Sequence, residues 1–186
     1  MSQIGHSGVP FYSKRLTFRD HIGDDLPGFH RWLSDPSVME MVGFDATTSV
    51  ERSQERLEEI IRSQSSADRT DYFFAVVESD TDIYVGDTGL TVLDRRTDGG
   101  VGELGYFLIP EYQGRGFGTE MASAVIRFGF RELGLHRIIA CCDARNVASE
   151  RVMRAAGMTR EACRRLSRYK DGEWHDELEY AILRER

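Results

Sequence analysis

The sequence ELGYFLIPEYQGRGFGTEM, at residues 103–121, indicates both a fold and a binding site. A strand pattern ends at Pro110, a loop with glycines at 114, 116 and 118 follows, and an amphipathic helix begins at once. Glycines let the backbone approach a ligand closely, and a helix start offers unpaired N–H groups at the positive end of its dipole. The stretch therefore predicts a site for a pyrophosphate group, to which Arg115 adds a cation.

The loop matches neither of the two most familiar phosphate-binding motifs. No Lys-Ser or Lys-Thr follows the glycines, which excludes GxxxxGK[ST], and Thr119, Glu120 and Met121 after Gly118 break G-x-G-x-x-G. The pattern that is present is Gln-x-x-Gly-x-Gly, at residues 113–118. A glycine-rich turn without a ligand is the alternative, and the strand before the loop and the helix directly after it favour the phosphate site.

The flanking sequence predicts one domain of mixed α/β class. Alternating or continuous apolar runs predict strands at residues 15–19, 72–78, 83–93, 101–109, 136–142, 165–170 and 174–183, the last two forming a hairpin. Apolar residues at helical spacing predict helices at residues 24–33, 49–65, 119–133 and 147–156. Strands and helices in this order indicate a sheet packed against helices within a single domain.

The composition agrees with one globular domain. The chain has 186 residues, of which 40% are hydrophobic and 30% charged, and its formal net charge is −7. A net acidic chain argues against non-specific nucleic-acid binding, which needs a basic surface. No apolar run approaches the roughly 18 residues of a membrane span, and the first twelve residues, MSQIGHSGVPFY, lack the pattern of a signal peptide. Three cysteines and five scattered histidines show neither a disulfide framework nor metal-ligand spacing. We therefore expect a cytoplasmic protein without a metal site.

Five segments, in order along the chain, resemble motifs of the GCN5-related N-acetyltransferases (GNAT). They are closest in pattern to the RimJ/RimL-like branch, which acetylates the N-termini of ribosomal proteins. The segments are RLTFR at residues 15–19, ELGY at 103–106, QGRGFG at 113–118, NVAS at 146–149 with GM at 157–158, and W-x-D-x-x-x-Y at 174–180. The resemblance implies a GNAT domain over residues 15–186 after an N-terminal extension at residues 1–14. Its fold would be an α/β (mixed α+β) single domain, with a central, mostly antiparallel twisted sheet flanked by helices.

The resemblance also implies the cofactor and the partners. Acetyl-CoA would be the co-substrate, with no metal, and the acceptor would be an amine on a protein N-terminus or on a small molecule. We expect neither nucleic acid nor a membrane as a partner, and allow for a homodimer. By the same resemblance, the residues that bind coenzyme A would be Tyr106, Leu108, Gln113, Gly114, Arg115, Gly116, Phe117, Gly118, Thr119 and Asn146. The Leu108 N–H would be the candidate oxyanion donor.

The catalytic candidates are Glu103 and Ser149. An alkyl ammonium must lose a proton before it attacks a thioester, and Glu103 is the best candidate base. An ordinary surface or ion-paired carboxylate is the alternative, and period-2 alternation places Glu103 on the face opposite to Leu108 unless the strand bulges. His136, at the start of a strand, is a second candidate base.

The departing thiolate also needs a partner. Many members of the family carry a tyrosine seven residues after the asparagine, as the acid that protonates this thiolate, but Met153 stands there. In the branch with N-x-x-S, Ser149 takes its place, and it is our candidate acid or thiolate stabiliser. The missing tyrosine also leaves a non-catalytic, coenzyme A-binding regulator as the alternative function.

Overall fold

The structure, a computed structural model, describes residues 9–42 and 46–185. In this part of the chain, strands and helices alternate much as the sequence predicts. The strands are β1 (Phe11–Tyr12), β2 (Leu16–Arg19), β3 (Asp71–Glu78), β4 (Tyr84–Asp94), β5 (Val101–Leu108), β6 (Arg137–Asp143), β7 (Thr159–Lys170) and β8 (Glu173–Leu183). The α-helices are α1 (Leu26–Leu33), α2 (Pro36–Met39), α3 (Val50–Gln64), α4 (Phe117–Arg131) and α5 (Val147–Ala155).

The described strands form one sheet in the order β1-β2-β3-β4-β5-β6-β8-β7. Neighbouring strands run antiparallel except β5 and β6, which run parallel. Helices α4 and α5 cover one face of the sheet, and α1 and α3 pack on the other. This confirms the prediction of a mixed α/β domain with a mostly antiparallel sheet flanked by helices.

Two apolar clusters hold these layers together. The larger lies between α4, α5 and the sheet, and it includes Leu90, Met121 and Ile138, which are fully buried. The smaller lies under α1 and α3 and includes Trp32 and Leu57. The two clusters lie on opposite faces of β5, which is therefore fixed from both sides.

Four elements differ from the sequence prediction, each for a local reason. Strand β7 begins at Thr159 rather than residue 165, because the charged, exposed residues of its first half show no apolar period. Strand β1 has only two residues, too few to show a period, and it forms because Phe11 pairs with Phe18 and stacks on its ring at 4.6 Å. Helix α2 was not predicted because Pro36, which ends a helix pattern, also starts the next helix at its first position. Helix α4 begins at Phe117 rather than residue 119, directly after Gly116 at φ 80°.

The predicted boundary between an extension and the domain at residue 15 stays a prediction. Residues 1–8 of the extension lie outside the described residues. Residues 11 and 12 belong to β1, and the Phe11 ring contacts the main apolar cluster.

Leucines on β4 offer a test of the packing. Leu90 is fully buried between β4 and α4, whereas Leu93, on the same strand, is 51% exposed. Leu90→Ala should lower the free energy of unfolding by about 3 kcal/mol, because it leaves a cavity in the core. Leu93→Ala should change it by no more than about 0.5 kcal/mol. Urea unfolding followed by circular dichroism measures both, and equal effects of the two substitutions would contradict the packing described.

Candidate active site

The candidate site is a gap in the middle of the sheet. Strand β5 pairs with β6 only at residues 101–103, which lie opposite residues 137–139. Beyond this point β5 continues to pair with β4 as far as Leu108, and β6 continues to pair with β8 as far as Asp143. The two parallel strands therefore separate after Glu103 and Ile139, and residues 104–108 border the gap on one side.

Backbone groups of β5 point into this gap. The Ile109 N–H donates to the Val85 carbonyl at 3.0 Å, so residue 109 faces β4. Backbone groups of successive residues in a strand face opposite edges, so residues 105 and 107 also face β4, and residues 106 and 108 face away from it. The N–H groups of Tyr106 and Leu108 and the Tyr106 C=O are thus directed at the gap, where an extended ligand can pair with them as another strand does. The Leu108 C=O, on the same edge, accepts from the Gln113 side chain at 3.3 Å.

The glycine-rich loop lies at the open end of the gap. Gly114 and Gly116 adopt φ 70° and 80°, and a Cβ atom on Gly114 would meet no atom within 4 Å. Gln113 and Arg115 are exposed in the same loop. The first turn of α4 follows directly, so its unpaired N–H groups face the loop. The loop is therefore open and rich in backbone donors, and its binding of a pyrophosphate stays a prediction.

Three predicted binding residues belong to the start of α4. Phe117 is 1% exposed and packs in the main cluster, so only its backbone N–H is available to a ligand. Gly118 is also buried, and a Cβ atom there would lie 3.1 Å from Val152 of α5, so its small size allows close packing of the two helices. Thr119 is half-buried in the first helical turn.

The Arg15 side chain contacts the same loop, although the sequence predicts Arg15 only as part of a strand. Its Nη1 donates to the Arg115 carbonyl at 3.1 Å, its Nε forms an ion pair with Glu120 at 2.7 Å, and its guanidinium lies 4.2 Å from the Phe117 ring centre. The Arg115 guanidinium lies over the same ring at 4.9 Å. Two guanidinium groups therefore stand beside the loop, and no local sequence signal points to the first, since 100 residues separate it from Arg115.

Ser149 lies in the first turn of α5, on the α4 face of the gap. Asn146 caps this helix: its Oδ1 accepts from the Ser149 N–H at 2.9 Å, and its amide NH2 group stays available as a donor. The Ser149 Oγ lies 2.7 Å from the Tyr106 hydroxyl. Met153, seven residues after Asn146, is fully buried in the core. Like the Arg15 guanidinium, the Tyr106 hydroxyl was not predicted to lie in the site, because the sequence points only to the backbone groups of that residue.

Glu103 lies on the opposite face of the sheet. The pairing of β5 with β4 is regular from residue 102 to residue 108, so no bulge interrupts the alternation between Glu103 and Leu108. Burial raises the pKa of the Glu103 carboxyl, Glu177 raises it further, Arg164 lowers it and Glu179 raises it slightly. A carboxylate with a raised pKa, at the last residue pair before the gap, has the properties of a general base.

His136 is less well placed than Glu103. Its backbone N–H donates to the Gly100 carbonyl at 2.9 Å, at the closed end of the β5–β6 pairing. Three residues of extended strand, about 10 Å, separate it from the point where the gap begins. Glu103 therefore lies closer to the gap than His136 does, and its role as the base stays a prediction.

The face that carries Glu103 is rich in ion pairs. Arg164 of β7 forms ion pairs with Glu177, at 3.4 Å, and with Glu179, both on β8. Arg168 of β7 lies 3.6 Å from Glu177 and also donates to the Met41 carbonyl, which ties the hairpin to the segment after α2.

Among the described residues, no group of three His, Cys, Asp or Glu side chains is arranged to hold a metal ion. In the same part of the chain, no helix is long and apolar enough to cross a membrane.

Comparison with known proteins identifies a family for this chain. Residues 15–159 match the family model described as the acetyltransferase (GNAT) domain. The uncharacterized N-acetyltransferase YnaD of Bacillus subtilis is 32% identical over 173 residues, which are 93% of this chain and 96% of that protein.

Two solved structures share the fold at low identity. RimL, a ribosomal L7/L12 alpha-N-protein acetyltransferase in complex with coenzyme A, has a TM-score of 0.78 at 20% identity, over 92% of this chain and 95% of its own. A spermidine N-acetyltransferase from Vibrio cholerae, with coenzyme A and spermine, has a TM-score of 0.77 at 19% identity, over 92% and 96%. With a family model that spans most of its length and a relative 32% identical over nearly all of it, this chain belongs to the GNAT family of N-acetyltransferases.

Proposed function

We propose that this GNAT acetyltransferase moves the acetyl group of acetyl-CoA to a primary amine by direct attack in a ternary complex. The observation that carries the proposal is the gap between β5 and β6, which has Glu103 on one face of the sheet and Ser149 on the other. A base removes a proton from the amine nitrogen, whereas a group that stabilises a thiolate contacts the sulfur of coenzyme A. Their placement on opposite faces lets an amine and a thioester approach the gap from different sides.

The described residues fit coenzyme A at two points. The backbone N–H groups of the loop at residues 113–118 and of the first turn of α4 would hold the pyrophosphate, with Arg15 and Arg115 beside them. The backbone groups of Tyr106 and Leu108 would pair with the extended pantetheine arm, and the Asn146 amide would donate to it. Each of these guanidinium groups also pairs with a carboxylate, Arg15 with Glu120 at 2.7 Å and Arg115 with Glu78 at 3.5 Å.

In the reaction we propose, the substrate ammonium first loses one proton to water, and the second proton, which the nitrogen must lose as the amide forms, passes to Glu103 directly or through water. The amine nitrogen attacks the thioester carbon, and the Leu108 N–H donates to the carbonyl oxygen as negative charge develops there. The carbon–sulfur bond breaks, and the electron pair stays on the sulfur of coenzyme A. The Ser149 hydroxyl donates a hydrogen bond to this thiolate.

The acceptor in this proposal is either the α-amine of a protein N-terminus or a small-molecule amine. The two structural neighbours named above act on one substrate of each kind. On the acceptor face the three carboxylates of Glu103, Glu177 and Glu179 outnumber the guanidinium groups paired with them, those of Arg164 and Arg168. The excess negative charge attracts a cationic amine in either case. Thiol release from acetyl-CoA, measured across peptides, polyamines and amino acids, tests the function. Absence of turnover on every amine would contradict it, and coenzyme A binding without turnover would favour a regulator.

Gly116 provides a test of the cofactor cradle. Gly116→Val should abolish coenzyme A binding, because a β-branched residue disfavours φ 80° and its side chain occupies the space beside the loop. Gly134→Val is the matched control: Gly134 follows α4 at φ 66°, away from the loop, and a Cβ atom there meets nothing within 4 Å. Titration calorimetry should find binding lost only in the first variant. Binding that survives in Gly116→Val would contradict the loop assignment.

The pH dependence of turnover tests Glu103 as the base. A neighbouring carboxylate disfavours the charged form of Glu103, so removing the Glu177 charge should lower the pKa of Glu103. Glu103 is then ionised at lower pH, and the acidic limb of the kcat/KM profile should move to lower pH in Glu177→Gln. Glu161→Gln, which removes a carboxylate paired with Arg137, should leave the limb in place. An acidic limb that persists unchanged in Glu103→Gln would exclude this base.

A further inference from the structure

The Tyr106 hydroxyl has a defined position but no part in the reaction described so far. Tyr106 extends from β5 on the α4 face, across the gap, to the first turn of α5. There its oxygen lies 2.7 Å from the Ser149 Oγ and 3.1 Å from the Ser149 carbonyl oxygen. The Cys142 thiol of β6 has its pKa raised to about 11, because burial raises the pKa more than a hydrogen bond with Ser149 lowers it. Groups from both separated strands therefore meet at Ser149.

The Tyr106 proton has two possible acceptors, which differ in distance and in their other hydrogen-bond partners. The Ser149 carbonyl is inside α5, where a helical carbonyl accepts from the N–H four residues on. The Ser149 Oγ is the nearer acceptor, and a hydroxyl oxygen accepts and donates at once. When Tyr106 donates to the Ser149 Oγ, the serine proton is left free to point elsewhere. Burial also raises the pKa of Tyr106, so its hydroxyl keeps its proton at the pH at which a protein is active.

We infer that Tyr106 is a positioning residue, whose hydroxyl donates to the Ser149 Oγ and thereby directs the serine proton at the sulfur of the departing coenzyme A. This inference rests on the proposed function. As the carbon–nitrogen bond forms and the carbon–sulfur bond breaks, the electron pair moves to sulfur, and the amine proton passes to Glu103. Tyr106 and Ser149 keep their protons, and the thiolate takes a proton from water on release. The pair stabilises charge that exists only late in the reaction.

A purely structural role makes a different prediction, and the chain contains a matched control. Tyr180 of β8 is 3% exposed, and its hydroxyl donates to the Glu150 Oε1 at 2.6 Å. It therefore ties the same helical turn to the sheet, one residue away from Ser149. If the Tyr106 hydroxyl only held α5 in place, Tyr106→Phe and Tyr180→Phe should affect turnover alike.

The experiment measures single-turnover transfer to the fastest acceptor of the amine panel, with acetyl-CoA and with its selenium ester as donors. The selenolate is a more stable leaving group, so it depends less on a hydrogen bond. Tyr106→Phe should slow transfer from acetyl-CoA about tenfold, the effect of one hydrogen bond worth about 1.4 kcal/mol. Its KM for acetyl-CoA should stay within about twofold of the wild-type value. With the selenium ester, Tyr106→Phe and wild type should react at similar rates, and Tyr180→Phe should resemble wild type with both donors.

A second test compares the single variant Ser149→Ala with the double variant that also carries Tyr106→Phe. In Ser149→Ala, the further change Tyr106→Phe should have no additional effect, because Tyr106 acts through the serine. Wild-type rates in Tyr106→Phe, or an equal loss with both donors, would overturn the inference while the proposed function stands. Additive losses in the double variant would overturn it in the same way. A wild-type protein that transfers acetyl to no amine would overturn both.

Discussion

The separation of β5 from β6 is the constraint on which the rest of the site depends. A strand inside a sheet normally has its backbone groups paired on both edges, and β5 has this arrangement only at residues 101–103. The β3–β4 pairing skips Val85, since Val76 lies opposite Gly86 and Val77 opposite Tyr84. Such a bulge bends the strand that carries it, and this one lies beside the end of β5. On the other side of the gap, β6 pairs continuously with β8 as far as Asp143.

The consequence is a row of peptide groups at residues 104–108 that β6 does not pair with, of which the Leu108 C=O accepts from the Gln113 side chain. Buried peptide groups need partners, so a gap of this kind favours a ligand with amide groups of its own. The pantetheine arm of coenzyme A has such groups, and the glycine loop at the end of the gap suits its pyrophosphate. The two faces of the gap then differ in chemistry. One carries the Glu103 carboxylate among other charges, and the other carries the uncharged hydroxyls of Tyr106 and Ser149.

Local patterns were enough to predict much of this arrangement. The strand, the loop and the following helix are consecutive in sequence, so glycine spacing and apolar periodicity predict them together. Alternation along β5 likewise predicts that Glu103 and Leu108 lie on opposite faces, and the regular β4–β5 pairing agrees. The contacts that complete the site connect residues far apart in the chain. Arg15 reaches Arg115, and Tyr106 reaches Ser149, through packing that no spacing rule encodes.

The exchange of backbone amide hydrogens in β5, followed by NMR with and without coenzyme A, tests the central claim most directly. If pantetheine pairs with the open edge of β5, the amides of Tyr106 and Leu108 should exchange more slowly in the complex. The amides of Gly105 and Phe107, which face β4, should change much less. Coenzyme A that binds without slowing exchange at Tyr106 or Leu108 would contradict the account of the gap as its site.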